Sequence, residues 1–79
     1  MPPESDSELR ELYANFFRVG YNSQEFLLDF GRKFEQEEER FGQRIITSPG
    51  NAKLLSDLLQ RSVSDYEGRF GKISEGEEP

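Results

Sequence analysis

Between Tyr13 and Phe30 the apolar residues come in two short bursts, Tyr13-Ala14-Asn15-Phe16-Phe17-Arg18-Val19 and Phe26-Leu27-Leu28-Asp29-Phe30, with large side chains at both odd and even positions. Alternate residues of a strand face opposite sides, so strands of this composition are apolar on both faces. The aromatic content and the turn-like Gly20-Tyr21-Asn22-Ser23 between the bursts predict a β-hairpin. Leu9, Leu12, Tyr13, Phe16 and Phe17 also fall at helical spacing behind Ser5-x-x-Glu8, a capping-box pattern, so residues 9–19 carry a competing helical reading.

With Gly20 to Gln24 as the loop, Val19 is expected to face Glu25, followed by the pairs Phe17 with Leu27, Phe16 with Leu28, Asn15 with Asp29 and Ala14 with Phe30. Directly opposed residues share a face. Ala14, Phe16, Arg18, Phe26, Leu28 and Phe30 would then form a core face. Tyr13, Asn15, Phe17, Val19, Glu25, Leu27 and Asp29 would form a mixed one. Gly31 is expected to end the second strand. The pattern resumes at Phe41-Gly42-Gln43-Arg44-Ile45-Ile46-Thr47, whose β-branched residues suit a third antiparallel strand.

After Thr47 the period changes. Ser48 is a good N-cap and Pro49 suits the first helical position, where its missing N–H costs nothing. Ala52, Leu55, Leu59, Ser62, Tyr66 and Phe70 recur at helical spacing, widened by Leu54, Leu58 and Val63, and Gly71 supplies a stop with Arg69 and Lys72 near the negative helix end. The predicted fold is α+β: a three-stranded antiparallel sheet, made of a β-hairpin plus a third strand, followed by one long C-terminal helix packed on one sheet face. Its expected divisions are a flexible acidic arm over 1–8, a single β-β-β-α domain over 9–73 and a flexible acidic tail over 74–79.

One helix covers one face of a small sheet, so the other face needs a further chain. The expectation is a homo-oligomer, a dimer or higher, with Tyr13, Asn15, Phe17, Val19, Leu27 and Asp29 at the interface; a different protein is the other partner considered. Asp29 among apolar neighbours must be hydrogen-bonded, paired with a cation such as Arg18 or Arg44, or left near water. With Asn15 it is expected to fix strand register or partner orientation rather than to do chemistry.

Composition narrows the choices. A chain of 79 residues has room for one domain and keeps much of its surface wet. It has no Cys and no His, which removes disulfides, thiol nucleophiles and the commonest general base and metal ligand. The N-terminus lacks a basic and then apolar leader, so a soluble cytoplasmic protein is expected, with no membrane partner.

The net charge of −6 is unevenly spread: residues 1–11 carry −3, residues 33–40 carry −2 and residues 73–79 carry −3, leaving +2 for the rest. Acidic ends of this kind keep a small protein solvated. The run Glu37-Glu38-Glu39 raises a metal site, but a calcium loop needs oxygen ligands at alternating positions with a glycine for the sharp turn, and that arrangement is absent. No metal or other cofactor is expected. Nucleophile motifs and phosphate-binding glycine loops are also missing, so an enzyme is not expected. Nucleic-acid binding by a β-ribbon and helix is the alternative, with Arg44, Lys53 and Arg61 as contacts. Few basic residues, no Lys/Arg run and acidic ends weigh against it.

The strings Tyr13-Ala14-Asn15-Phe16, Glu25-Phe26-Leu27-Leu28-Asp29-Phe30-Gly31, Arg44-Ile45-Ile46-x-Ser48-Pro49-x-x-Ala52-Lys53 and Tyr66-Glu67-x-x-Phe70-Gly71, in this order, resemble DUF3467, a family of short prokaryotic proteins of unknown function. The resemblance spans about Leu12 to Ile73. Where the family pattern is expected to have a His after the first strand and another before the Ala-Lys of the helix, this chain has Tyr21 and Asn51, so any role of those imidazoles is missing. The resemblance implies the strand-strand-strand-helix order and a single domain, and no activity.

Overall fold

A computed structural model describes residues 9, 11–34 and 40–74 of the chain. Three strands and one helix follow in order: β1 (Phe16–Tyr21), β2 (Phe26–Arg32), β3 (Arg40–Thr47) and α1 (Pro49–Phe70). The strands form one antiparallel sheet in the order β1-β2-β3. The helical reading of residues 9–19 is overturned by β1. The expected arm over 1–8, the Glu37–Glu39 run and all but Ser74 of the expected tail over 74–79 lie outside the described residues.

The hairpin register differs from the expected one by three residues. Phe16 pairs with Gly31, Phe17 with Phe30, Arg18 with Asp29, Val19 with Leu28, Gly20 with Leu27 and Tyr21 with Phe26. The cause lies in the turn. Gly20 stays in the strand, and Asn22 makes the turn instead: its side-chain oxygen accepts from the backbone N–H groups of Gln24 (2.7 Å) and Glu25 (2.9 Å). The Asn22 backbone N–H donates to the Glu25 carbonyl at 3.0 Å, closing a loop of residues 22–25.

An odd shift turns β1 over relative to β2. Phe17, Val19 and Tyr21 of β1 therefore share a face with Phe26, Leu28 and Phe30 of β2 and with Gln43, Ile45 and Thr47 of β3, here called face A. Face B carries Phe16, Arg18, Leu27, Asp29, Phe41, Arg44 and Ile46. The expected core face is corrected accordingly: Phe16 and Arg18 sit opposite to Phe26, Leu28 and Phe30. Two ring pairs fasten face A, Phe17 edge-on to Phe30 at 5.9 Å and Tyr21 stacked on Phe26 at 5.5 Å.

β1 begins later than expected, at Phe16. Just before it, Asn15 extends the pairing in another way: its backbone N–H donates to Gly31 O at 3.0 Å. Its side-chain amide donates to the Lys33 carbonyl (3.0 Å) and accepts from the Lys33 N–H (2.9 Å), copying a two-bond strand pair. Gly31 does not end β2 either. A bulge between Phe30 and Gly31 sets Gly31 opposite Phe41, leaving Gly42 as the extra residue. Only glycine fits there, because a Cβ would run into the Arg40 carbonyl and lie 3.0 Å from the Phe41 ring.

Ser48 caps α1 as expected, its hydroxyl accepting from the Asn51 N–H at 3.1 Å, with Pro49 opening the first turn. Gly71, at φ 104°, ends the helix and donates to the Glu67 carbonyl at 3.0 Å. At 22 residues α1 is about 33 Å long. Its N-terminal half stands near face A, where Ala52, Leu55, Ser56 and Leu59 line an open 330 Å³ gap together with Val19, Phe26 and Leu28. The seating is shallow. No residue of α1 is buried, and among the described residues no hydrophobic side chain is buried anywhere.

Candidate functional site

The fold leaves two surfaces to consider, an apolar one and a charged one. The apolar surface is face A with α1. Because β1 is turned over, Phe17, Val19 and Ile45 stand on the face the helix partly shields, yet remain exposed. Along α1 the residues lining that gap continue at the same helical spacing into Val63, Tyr66 and Phe70. Tyr66 and Phe70 form a tilted ring pair with centroids 4.9 Å apart, and Phe70 remains 72% exposed.

The charged surface lies on face B. Arg18 of β1, Asp29 of β2 and Arg44 of β3 stand side by side because the register brings them level. Arg44 donates from Nε to Asp29 Oδ1 at 2.7 Å and from a terminal nitrogen to Oδ2 at 3.0 Å, a bidentate pair. Arg18 donates to Oδ2 from Nε at 3.0 Å and approaches it with a terminal nitrogen at 2.9 Å. The Arg18 guanidinium also rests 4.1 Å above the Phe41 ring, which in turn leans on Phe16 at 5.3 Å.

Asp29 is 4% exposed, while both arginine side chains are more than half exposed. The carboxylate is covered by the two guanidiniums lying over it rather than by depth in the molecule. The hydrogen bond from Arg44 holds its carboxyl well below the ordinary 3.8, at about 2; desolvation opposes this, and the bond from Arg18 adds to it. Arg44 is correspondingly raised by its bond to Asp29. With two cations on one anion, the cluster is +1 and points its remaining N–H groups at solvent.

The six residues expected at one interface do not share a face. Phe17 and Val19 lie on face A, Leu27 and Asp29 on face B, and Tyr13 and Asn15 precede β1. Asn15 faces Lys33, not Asp29. The expected alternatives for Asp29 resolve into both arginines together. Arg44, Lys53 and Arg61, raised as nucleic-acid contacts, are not gathered into a patch either: Arg44 is bound to Asp29 on face B, while Lys53 and Arg61 lie on α1, which covers face A.

A larger open concavity of 510 Å³ lies at the far end of the sheet, between Leu12, Tyr13, Phe30, Phe34, Arg40 and Phe41. Arg32 sits 5.2 Å over the Phe34 ring beside it. Among the described residues there is no cluster of acids able to hold a metal ion, and no helix is long and apolar enough to cross a membrane.

The model of the family described as "Protein of unknown function (DUF3467)" matches residues 3–75. The chain belongs to the DUF3467 family. No curated protein and no solved structure matches it significantly. For this DUF3467 chain, function must therefore be argued from its own surfaces. The Arg18–Asp29–Arg44 cluster and the Gly31 bulge were the features hardest to find in the sequence, since the cluster needs the registers of both strand pairs and the bulge is an irregularity within the β2–β3 pairing.

Proposed function

We propose that this DUF3467 chain is a small, non-enzymatic, self-associating interaction module that works in the cytoplasm. The observation that carries the reading is the lack of any buried hydrophobic side chain among the described residues, beside seventeen large hydrophobics that stand exposed. A chain whose apolar side chains stay wet gains little of the burial that offsets the entropy of folding. Chains in that position reach stability by association, and an obligate homodimer often has no stable folded monomer.

The apolar surface carries the association, and Asp29 with its two arginines acts as a structural cross-brace that holds three strands in register. Sedimentation equilibrium with light scattering, from nanomolar to high micromolar chain, tests the reading. A dimer or larger species that dissociates only together with loss of circular dichroism is expected. A folded monomer at micromolar concentration contradicts it.

A further inference from the structure

We infer that two copies of the chain pair along β1, edge to edge and antiparallel, so that their sheets join into one continuous sheet. The inference rests on the proposed self-association and names the strand that lies at the two-fold axis. It starts from the backbone. β1 is an edge strand, and the Asn22 N–H bonded to the Glu25 carbonyl continues its register with β2 by one more pair. Bonded and non-bonded pairs alternate along an antiparallel ladder. Gly20 with Leu27 and Arg18 with Asp29 are therefore bonded pairs, and the N–H and C=O groups of Phe17, Val19 and Tyr21 point away from β2. Among the described residues no backbone group bonds to them.

Strand edges meant to stay open are guarded by charge, proline or a bulge. The other edge, β3, has such guards in the bulge at Gly42 and the exposed Arg40 beside it. β1 has none: it carries no Pro, no Lys and no bulge from Phe16 to Tyr21. Its one charge is drawn inward, because the Arg18 guanidinium reaches across the sheet to Asp29 on β2 and lies 4.1 Å over the Phe41 ring on β3. Phe17, Val19 and Tyr21 are accordingly 59% to 75% exposed, whereas Phe26, Leu28 and Phe30, on the same face of the central strand, are half-buried.

The occupant is a second copy because β1 is complementary to itself. The outward groups match when Phe17, Val19 and Tyr21 of one copy stand opposite the same set in the other. Centred on Val19, the pairing sets Val19 against Val19, Phe17 against Tyr21 and Arg18 against Gly20, and the two-fold axis repeats each unlike pair. Directly opposed residues share a face, so an aromatic pair and a valine pair extend face A while each Arg18 meets a glycine. A shift of two residues one way would oppose Arg18 to Arg18, and the other way would set Phe17 and Arg18 against Ser23 and Asn22 of the turn. Face A of both copies then lies on one side of a common sheet, so the apolar surface proposed to carry association is continuous across the axis.

Residues of a bonded antiparallel pair have Cα atoms about 5.5 Å apart, within the span of a disulfide. The chain has no native Cys, so Val19→Cys, once oxidised, is expected to link to itself as a covalent dimer. Ile45→Cys, on the same face but on β3, is expected to give at least tenfold less. Hydrogen exchange of the wild-type dimer checks the same contact without a substitution. The amides of Phe17, Val19 and Tyr21 are expected to be protected at least tenfold more than those of Arg44 and Ile46, which point outward from β3. A sample that sediments as a dimer but lacks this difference in protection, or traps Ile45→Cys as readily as Val19→Cys, overturns the β1 pairing and leaves self-association standing. A wild-type chain that sediments as a folded monomer overturns both.

Discussion

Asp29 accepts from two guanidiniums at once, and that arrangement has a pH signature. Its pKa is about 2 in the folded chain against an ordinary 3.8, so the unfolded chain takes up its proton first. The stability contributed by the cluster is therefore present above about pH 4 and is lost as pH falls through 4 to 2. Asp29→Asn removes this dependence: urea titrations from pH 7 to pH 2 are expected to show a less stable variant at neutral pH and a gap from wild type that closes toward pH 2. A constant gap across the range would mean the carboxylate is not held by Arg44 and Arg18. Gly31 supplies a second test at this scale. Gly31→Ala forces a methyl into the Arg40 carbonyl and the Phe41 ring, and is expected to cost about 1–3 kcal/mol in denaturant unfolding. Gly42→Ala, next to the same bulge but with open space around it, is expected to stay within about 0.5 kcal/mol. Pairing of Asp29 with Arg18 or Arg44 could be reasoned from a carboxylate in apolar company. That both arginines bind it could not, because it needs β1 and β3 in their true registers.

The elements were legible where local chemistry decides them. Ser48 and Pro49 open α1 and Gly71 closes it for reasons confined to one turn each, and the expected bounds agree with Pro49–Phe70. Ser48→Ala removes the acceptor of the Asn51 N–H and is expected to destabilise the fold by about 1 kcal/mol, measured as a shift in the urea midpoint with unchanged slope. The hairpin was harder. Gly20 and Asn22 both fit a turn, and a choice between neighbouring turn residues changes which face every residue of β1 occupies. Asn22 prevails because its carbonyl captures two backbone N–H groups that a turn at Gly20 would leave to water. Asn22→Ala is accordingly expected to weaken the hairpin and raise amide exchange at Gln24 and Glu25 before it affects α1. Equal protection of those amides in the variant would show that the turn does not depend on the side chain. Asn15, expected within the first strand opposite Asp29, lies just before β1, where its side-chain amide imitates a strand pair with Lys33.

At the scale of the whole molecule, a surplus of apolar surface was legible and its place in the fold was not. Strands apolar on both faces announced surplus surface, but the expected interface mixed residues from faces A and B because it inherited the wrong register. In the structure most of the surplus on the sheet lies on face A, with Ile46 on face B, and the large apolar side chains of α1 stay exposed from Leu54 to Phe70. Tyr66→Glu places a charge on the exposed apolar stripe of α1. The variant is expected to weaken association at least tenfold by light scattering, whereas Lys53→Glu, on the side of the same helix that carries Asp57 and Gln60, is expected to leave it within a factor of two or three. Equal effects from the two would point to general charge repulsion rather than to a surface. The central claim is that folding and association are one event. It is tested most directly by the thermal midpoint as a function of chain concentration. For a dimer that unfolds to two free chains, the midpoint is expected to rise by roughly 3–5 °C per tenfold increase in concentration. A midpoint that stays constant over a hundredfold range would mean that the single chain is stable by itself, and would contradict the account.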